Sequence, residues 1–161
     1  MPVTKTRWKR RKEARPQELT AAALELFVEK GFAATRLDEI AARAGVSKGT
    51  LYLYYPSKEE LFKAVVRHNL SALIAEGEEL AGAFEGSSSE LLSTLMRTWW
   101  QRVGSTNAAG IHKIVLAEVR NFPELAQFYT DEVMVPADRL FSGCVQRGIN
   151  SGEFRPMPVH D

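Results

Sequence analysis

The stretch LDEIAARAGVSKGTLYLYY, from Leu37 to Tyr55, constrains the fold more than any other part of the chain. Leu37, Ile40, Ala41 and Ala44 recur at helical spacing and give a first helix one apolar face. Gly45 follows directly, and glycine takes a positive φ at little cost, so it ends that helix and turns the chain. Val46 is apolar and suits the gap between two helices. Ser47 is a good N-cap, because its hydroxyl accepts from the open N–H groups of the next turn. Lys48 to Tyr55 then makes a second helix about 12 Å long at about 1.5 Å per residue. One reading is an ordinary helical hairpin inside an all-α domain. The other is a helix presented to B-DNA, whose major groove is about 12 Å wide. Two features favour DNA. The second helix carries hydrogen-bonding groups at Lys48, Thr50, Tyr52 and Tyr54, with few positions suited to a core. It also holds Gly49 in its first turn, where glycine costs up to about 1 kcal/mol of helix propensity, a choice that makes sense if something large, such as a sugar-phosphate backbone, must come close.

The charge distribution points the same way. The formal net charge is only +1. Residues 1–70 nevertheless hold 14 Lys and Arg against 8 Asp and Glu, and residues 71–161 hold 7 against 12. One half suits a polyanion and the other does not. The excess is densest in residues 1–14, a basic N-terminal arm that is expected to be disordered in the free protein. It reads either as a solvated tail or as an arm that follows phosphates or enters a minor groove. A hydrophobic fraction of 45% with 25% charged residues fits a globular chain with a real core. The single Cys144 cannot form an intramolecular disulfide, so nothing argues for an oxidising compartment. No apolar run approaches the ~20 residues of a membrane span, and the basic N-terminus lacks the apolar core of a secretory signal. A cytoplasmic protein with no membrane partner is expected.

Around the central stretch, Pro16 suits the first turn of a helix, with Leu19, Ala23, Leu26 and Phe27 as its apolar stripe. Gly31 reads as its C-terminal cap, with Phe32 folding back over the end. Thr35 and Asp38 have the spacing of a capping box, with Asp in place of Glu. Pro56 ends the second helix of the motif. Ser57 caps another, whose apolar residues Leu61, Phe62, Val65 and Val66 lead on through Leu70, Leu73 and Ile74.

These landmarks make residues Arg15–His68 closely resemble the N-terminal domain of TetR-type transcriptional repressors. The resemblance rests on Ala22-Ala23, Leu26-Phe27, Gly31-Phe32, Thr35, Ile40-Ala41, Ala44-Gly45-Val46-Ser47, Gly49-Thr50-Leu51-Tyr52, Tyr54 and Ser57-Lys58-Glu59 with Leu61, at unbroken spacing over about a third of the chain. Two positions depart from the family pattern: Arg36 stands where a Thr or Ser is usual, and Tyr55 where Phe is usual. The resemblance implies that Ser47–Tyr55 is a recognition helix in the major groove, with Ser47 capping it and Gly49 allowing close approach. Lys48, Tyr52 and Leu53 would face base edges, with lysine donating to guanine and Leu53 touching a thymine methyl. Thr50, Tyr54, Lys58, Thr35 and Arg36 would hold phosphates, although Tyr54 also reads as a second core aromatic. Leu51 and Tyr55 would fix the helix to its domain, and the Tyr55 hydroxyl then needs a partner.

Residues beyond the motif carry weaker signals. Glu76–Glu90, with Gly77, Gly82, Gly86 and three serines, reads as a turn or loop. Leu91, Leu92, Leu95, Met96, Trp99 and Val103 follow a helical period. Asn107 is expected to cap a helix carrying Ile111, Ile114, Val115 and Val119. Pro123 opens another, with Leu125, Phe128, Val133, Leu140, Phe141 and Val145 toward Gly148. The resemblance implies a small-molecule pocket and a homodimer interface among these helices. Met96, Trp99, Trp100, His112, Phe128 and Tyr129 are candidates to line the pocket, although aromatic residues at helical spacing more often form plain core and a capped or surface histidine is the alternative for His112. TetR-type repressors usually continue with two further helices that pair across a two-fold axis. The chain is therefore expected to be shorter than a full-length member, with Arg155–Asp161 as the linker into them and a weakened dimer.

The expected fold is all-α: a helix-turn-helix domain over 15–60, then a helical ligand-binding and dimerisation domain over 61–161, expected to be incomplete. The expected function is repression of transcription at a double-stranded DNA operator, relieved by a small-molecule effector. A DNA-binding or architectural protein without an effector is the alternative, and it predicts steep salt dependence with little sequence preference. An enzyme is not expected, because no G-x-S-x-G, P-loop or dinucleotide fingerprint occurs and no catalytic residue can be assigned. His68, His112 and His160 lie far apart and Cys144 has no nearby second ligand, so neither a metal nor a cofactor is expected.

Overall fold

The computed structural model describes the backbone of residues 4–159 and the side chains of residues 16–159. The described residues fold as two compact units, parted between Val65 and Val66. The parting falls inside a helix, near the expected boundary at 60/61. The regular elements among the described residues are all helices, joined by short turns.

In the first unit, α1 (Thr4–Lys30) is longer than Pro16 suggested, and Pro16 lies inside it. Residues 4–15 are mostly good helix formers, and the loss of one i→i−4 hydrogen bond at the proline does not stop them. The side chains of the basic arm, and with them its expected phosphate contacts, lie outside the described residues. Leu19, Ala23, Leu26 and Phe27 are buried as their spacing required. Gly31 ends α1 at φ +82°. Phe32 turns back so that Phe27, Phe32 and Phe62 form an aromatic triad with centroids 5.4–5.5 Å apart. This triad joins the end of α1 to α4 (Lys58–Val66), an arrangement in which edge-to-face pairs add to simple burial.

α2 (Leu37–Arg43) is capped one residue later than the sequence suggested. Arg36 is its N-cap, and Glu39 reaches back to accept from the Arg36 N–H at 3.2 Å. Thr35 turns inward: its buried hydroxyl donates to Gly31 O at 2.6 Å and to Leu26 O at 3.2 Å. Gly45, at φ +70°, makes the turn into α3 (Lys48–Tyr54), and Ser47 caps α3 by accepting from Thr50 N at 3.1 Å. Arg43 clips α2 to α1 through Glu25 and Glu29.

In the second unit a π-turn at Arg67–Ser71 leads into α5 (Ala72–Ala83). The expected loop over Glu76–Glu90 is corrected here, because Gly77 and Gly82 are both helical and only Phe84–Ser87 breaks the run. A Cβ on Gly77 would lie 2.8 Å from Leu140 Cδ2 and 3.2 Å from Leu95 Cδ2. Glycine stands there for close packing, not for a turn. α6 (Ser88–Trp99) starts on a Ser87–Glu90 capping box, and Glu153 also accepts from Ser88 N and Ser89 N at 2.8 Å each. A second π-turn, Trp100–Gly104, and a 3₁₀ turn, Asn107–Ala109, lead to α7 (Gly110–Glu118). The cap of that turn is Thr106 rather than Asn107, its hydroxyl accepting from Ala108 N at 3.2 Å. Pro123 opens α8 (Pro123–Tyr129) as expected, and a third π-turn, Thr130–Met134, joins it to α9 (Val135–Asn150). α5, α6 and α9 pack together around Leu91, Leu95, Leu140 and Cys144.

Candidate nucleic-acid interface

α3 is held by one side and displays the other. Leu51 is 0% exposed and anchors it, while Leu53 is 84% exposed. Tyr55 follows the helix and is half-buried, and its hydroxyl donates to Pro16 O at 3.4 Å, which supplies the partner that the Phe-to-Tyr departure requires. Burial raises the Tyr55 pKa, so it stays a neutral donor. Ser47, Lys48, Gly49 and Tyr52 are all exposed, with Thr50 and Tyr54 half-exposed beside them. Lys48 Nζ stands 5.9 Å from the Tyr52 ring centroid, and the Thr50 hydroxyl shares a 2.9 Å hydrogen bond with that of Ser47. A Cβ on Gly49 would meet nothing within 4 Å. Nothing among the described residues therefore excludes a Cβ at this position.

The residues beside α3 divide. Arg36 is exposed and bonded to Asp38 at 3.2 Å. Arg36 lowers the Asp38 pKa against the opposing effect of partial burial, so the pair is ionised. Exposed pairs of this kind are weak and exchange readily for another anion. Thr35 is the correction in this set: its hydroxyl is buried on carbonyl oxygens and does not face solvent. Lys58 donates to Ala33 O and Thr35 O at 3.1 Å each and lies 4.7 Å from the Phe32 centroid. It staples the α1–α2 turn, which leaves one of its three protons for an anion. No local pattern in the chain signals that staple, because the carbonyls it holds are more than twenty residues away.

The second unit contains a cavity of about 240 Å³. It is lined by α5 and α9 through Leu73, Ile74, Gly77, Leu80, Ala137, Leu140 and Phe141, with Leu70, Leu95, Thr98, Trp99, Val133, Glu76 and His112 completing it. Of the sequence candidates, Trp99 and His112 line this cavity. Tyr129 lines a neighbouring groove that His112 also borders. Met96 and Trp100 are exposed and line neither, and Phe128 lies under the Arg67 guanidinium, 4.9 Å from its ring centroid. Sequence reasoning misses the α5 contribution because Gly77 has the look of a break. His112 Nδ1 is hydrogen-bonded to the Tyr129 hydroxyl. Burial lowers the His112 pKa and pushes Tyr129 up to about 12, so both are neutral near pH 7. Among the described residues no helix is long and apolar enough to cross a membrane.

Comparison with known proteins agrees with this arrangement. Residues 19–65 match the model of the bacterial regulatory proteins of the tetR family. The HTH-type transcriptional repressor KstR2 of Rhodococcus jostii is 29% identical over 145 residues, which is 89% of this chain and 70% of that one. The crystal structure of the probable transcriptional regulatory protein RHA5900 is 30% identical, with a TM-score of 0.66 over 90% of this chain and 77% of that one. FadR of Bacillus subtilis, solved in complex with stearoyl-CoA, is 25% identical, with a TM-score of 0.67 over 89% of this chain and 76% of that one. With its helix-turn-helix unit displayed as described and this family match across it, the chain belongs to the TetR family and is a DNA-binding regulator of transcription.

Proposed function

We propose that this regulator is a repressor that leaves its operator when an apolar small molecule enters the cavity of the second unit. Lys48, Tyr52 and Leu53 read base edges in the major groove. Ser47, Thr50, Tyr54 and Arg36 hold the flanking phosphates, Lys58 offers its remaining proton, and Gly49 lets the DNA backbone come close. The observation that carries the reading is the division of α3: a leucine 84% exposed stands two residues from one that is 0% exposed, on a helix whose Gly49 would carry a Cβ into open space. A lone exposed leucine is common on protein surfaces, but here it shares a helix anchored by Leu51 with exposed Lys48 and Tyr52, a set that suits base edges and a thymine methyl. The protein works in the cytoplasm as a homodimer on a near-palindrome, with half-sites about one DNA turn apart. The effector changes the geometry of the two DNA-binding units and so lowers their joint affinity. The B. subtilis FadR complex with stearoyl-CoA supports an effector that carries an apolar chain.

The test begins with selection of the preferred site from random DNA. Lys48→Ala is then expected to cost about 1–3 kcal/mol on that site and little on random DNA, whereas Tyr54→Phe weakens both equally. Equal losses for Lys48→Ala on both DNAs would remove it from the base-reading set. Failure to enrich any site would favour an architectural protein over a repressor.

A further inference from the structure

We infer that the cavity selects an uncharged ligand, an apolar chain or ring bearing one hydrogen-bonding group, and that Glu76 and His112 set this selectivity. The inference rests on the reading of this cavity as the effector site. Among the described residues no Lys or Arg lines the cavity, and its walls are overwhelmingly hydrocarbon. The polar side chains on it are Glu76, Thr98 and His112. Glu76 is 57% exposed and is bonded to Arg102, with Nη2 3.3 Å from Oε1. Arg102 itself does not line the cavity, and Glu76, which it holds, adds a negative charge beside the apolar wall. A carboxylate would have to shed water and meet only neutral donors and no lining cation, which is unfavourable for the charged form.

His112 provides the recognition. It borders both the cavity and the neighbouring groove. Its Nδ1 is held by the Tyr129 hydroxyl, and Nε2 meets no hydrogen-bond partner among the described residues, nor is it sealed from solvent. A phenol is the natural donor in such a pair, which leaves Nε2 carrying the proton. Nε2 then donates to an alcohol, ketone, ester or thioester oxygen of the ligand. The shared chemistry is a neutral oxygen on an apolar body, whichever of these groups carries it.

Calorimetric titration of the full chain with 1-octanol, methyl octanoate and ionised octanoate at about pH 8 tests the inference. The two neutral probes are expected to bind at least about ten-fold more tightly than octanoate. His112→Phe should weaken the neutral probes by a few-fold to about ten-fold, the effect of one hydrogen bond. Glu76→Gln, at an exposed position that does not threaten folding, should release Arg102 and narrow the gap between octanoate and octanol. Leu80→Trp, at the cavity wall, should block all three. Equal binding of octanoate and octanol, or an unchanged ratio in Glu76→Gln, overturns the proposed selectivity while the block by Leu80→Trp leaves the effector site standing. If no probe binds, or Leu80→Trp leaves binding unchanged, the effector-site reading falls as well.

Discussion

Gly49 shows how a single residue separates folding from function. A Cβ there meets nothing within 4 Å among the described residues, so a side chain can start without a clash. Gly49→Leu should raise helix propensity by up to about 1 kcal/mol and shift the urea midpoint upward. The same variant should lose operator binding in a gel shift, because on the proposed reading the added side chain would stand between α3 and the DNA. Retained binding would show that the DNA backbone does not approach this position. Gly45 differs, since its φ of +70° strains any other residue whatever the space. His112 makes a second prediction at this scale. Its folded pKa lies below the ordinary value of 6.5 because of burial, so the unfolded chain takes up the proton more readily. Stability is therefore fully present above about pH 6.5 and falls as the pH drops through that value toward the folded pKa. Thermal melts at closely spaced pH values should show this loss in the parent and a flatter profile in His112→Phe. Parallel profiles would mean that His112 titrates alike in both states.

At the level of helices, the sequence is legible wherever the signal is local. Ser47 caps α3, Gly31 and Gly45 close α1 and α2, and Pro123 opens α8, because each acts on a backbone group a few residues away. The elements that differ from expectation share the opposite cause. Gly77 looks like punctuation, but its reason is a leucine more than sixty residues further on. Thr35 looks like a cap, but Gly31 O and Leu26 O draw its hydroxyl inward and the cap moves to Arg36. The three π-turns leave no mark in the apolar spacing. Gly77→Ala tests the packing account. The helix gains up to about 1 kcal/mol in propensity, while overpacking against Leu140 and Leu95 costs about 1–3 kcal/mol. A net loss of about 1 kcal/mol is expected, seen as a lower urea midpoint with an unchanged slope. A stabilised variant would mean that Leu140 yields freely into the cavity, and glycine would then have no packing role there.

Across the whole molecule, the all-α class and the DNA-facing unit are readable because one continuous motif specifies them. The cavity is not, because it is assembled from four helices and their connections, none of which carries a motif of its own. Charge is where the two kinds of information combine. Residues 16–70 hold 7 Lys and Arg against 7 Asp and Glu, so the surplus of the N-terminal half lies entirely in residues 1–15, with 7 against 1. The described cations are moreover largely engaged: Lys30 with Glu39, Arg36 with Asp38, Arg43 with Glu25 and Glu29, Lys63 with Glu60, and Lys58 on two carbonyl oxygens. Phosphate neutralisation by the DNA-binding unit alone should be modest, and the basic arm should supply most of the salt dependence. Deleting residues 1–12 removes Lys5, Arg7, Lys9, Arg10, Arg11 and Lys12. For every phosphate deprived of its cation, the plot of log K against log salt should become shallower by about 0.9, so the change approaches about 5 if all six cations reach the DNA. Sequence preference should survive, because Lys48, Tyr52 and Leu53 are untouched. The measurement is a salt titration of parent and truncated protein on the selected site and on random DNA. A shallower slope with an intact preference assigns affinity to the arm and specificity to α3. An unchanged slope makes the arm a solvated tail, and the exposed ion pairs of α1 and α2 would then have to open and turn their cations to the DNA.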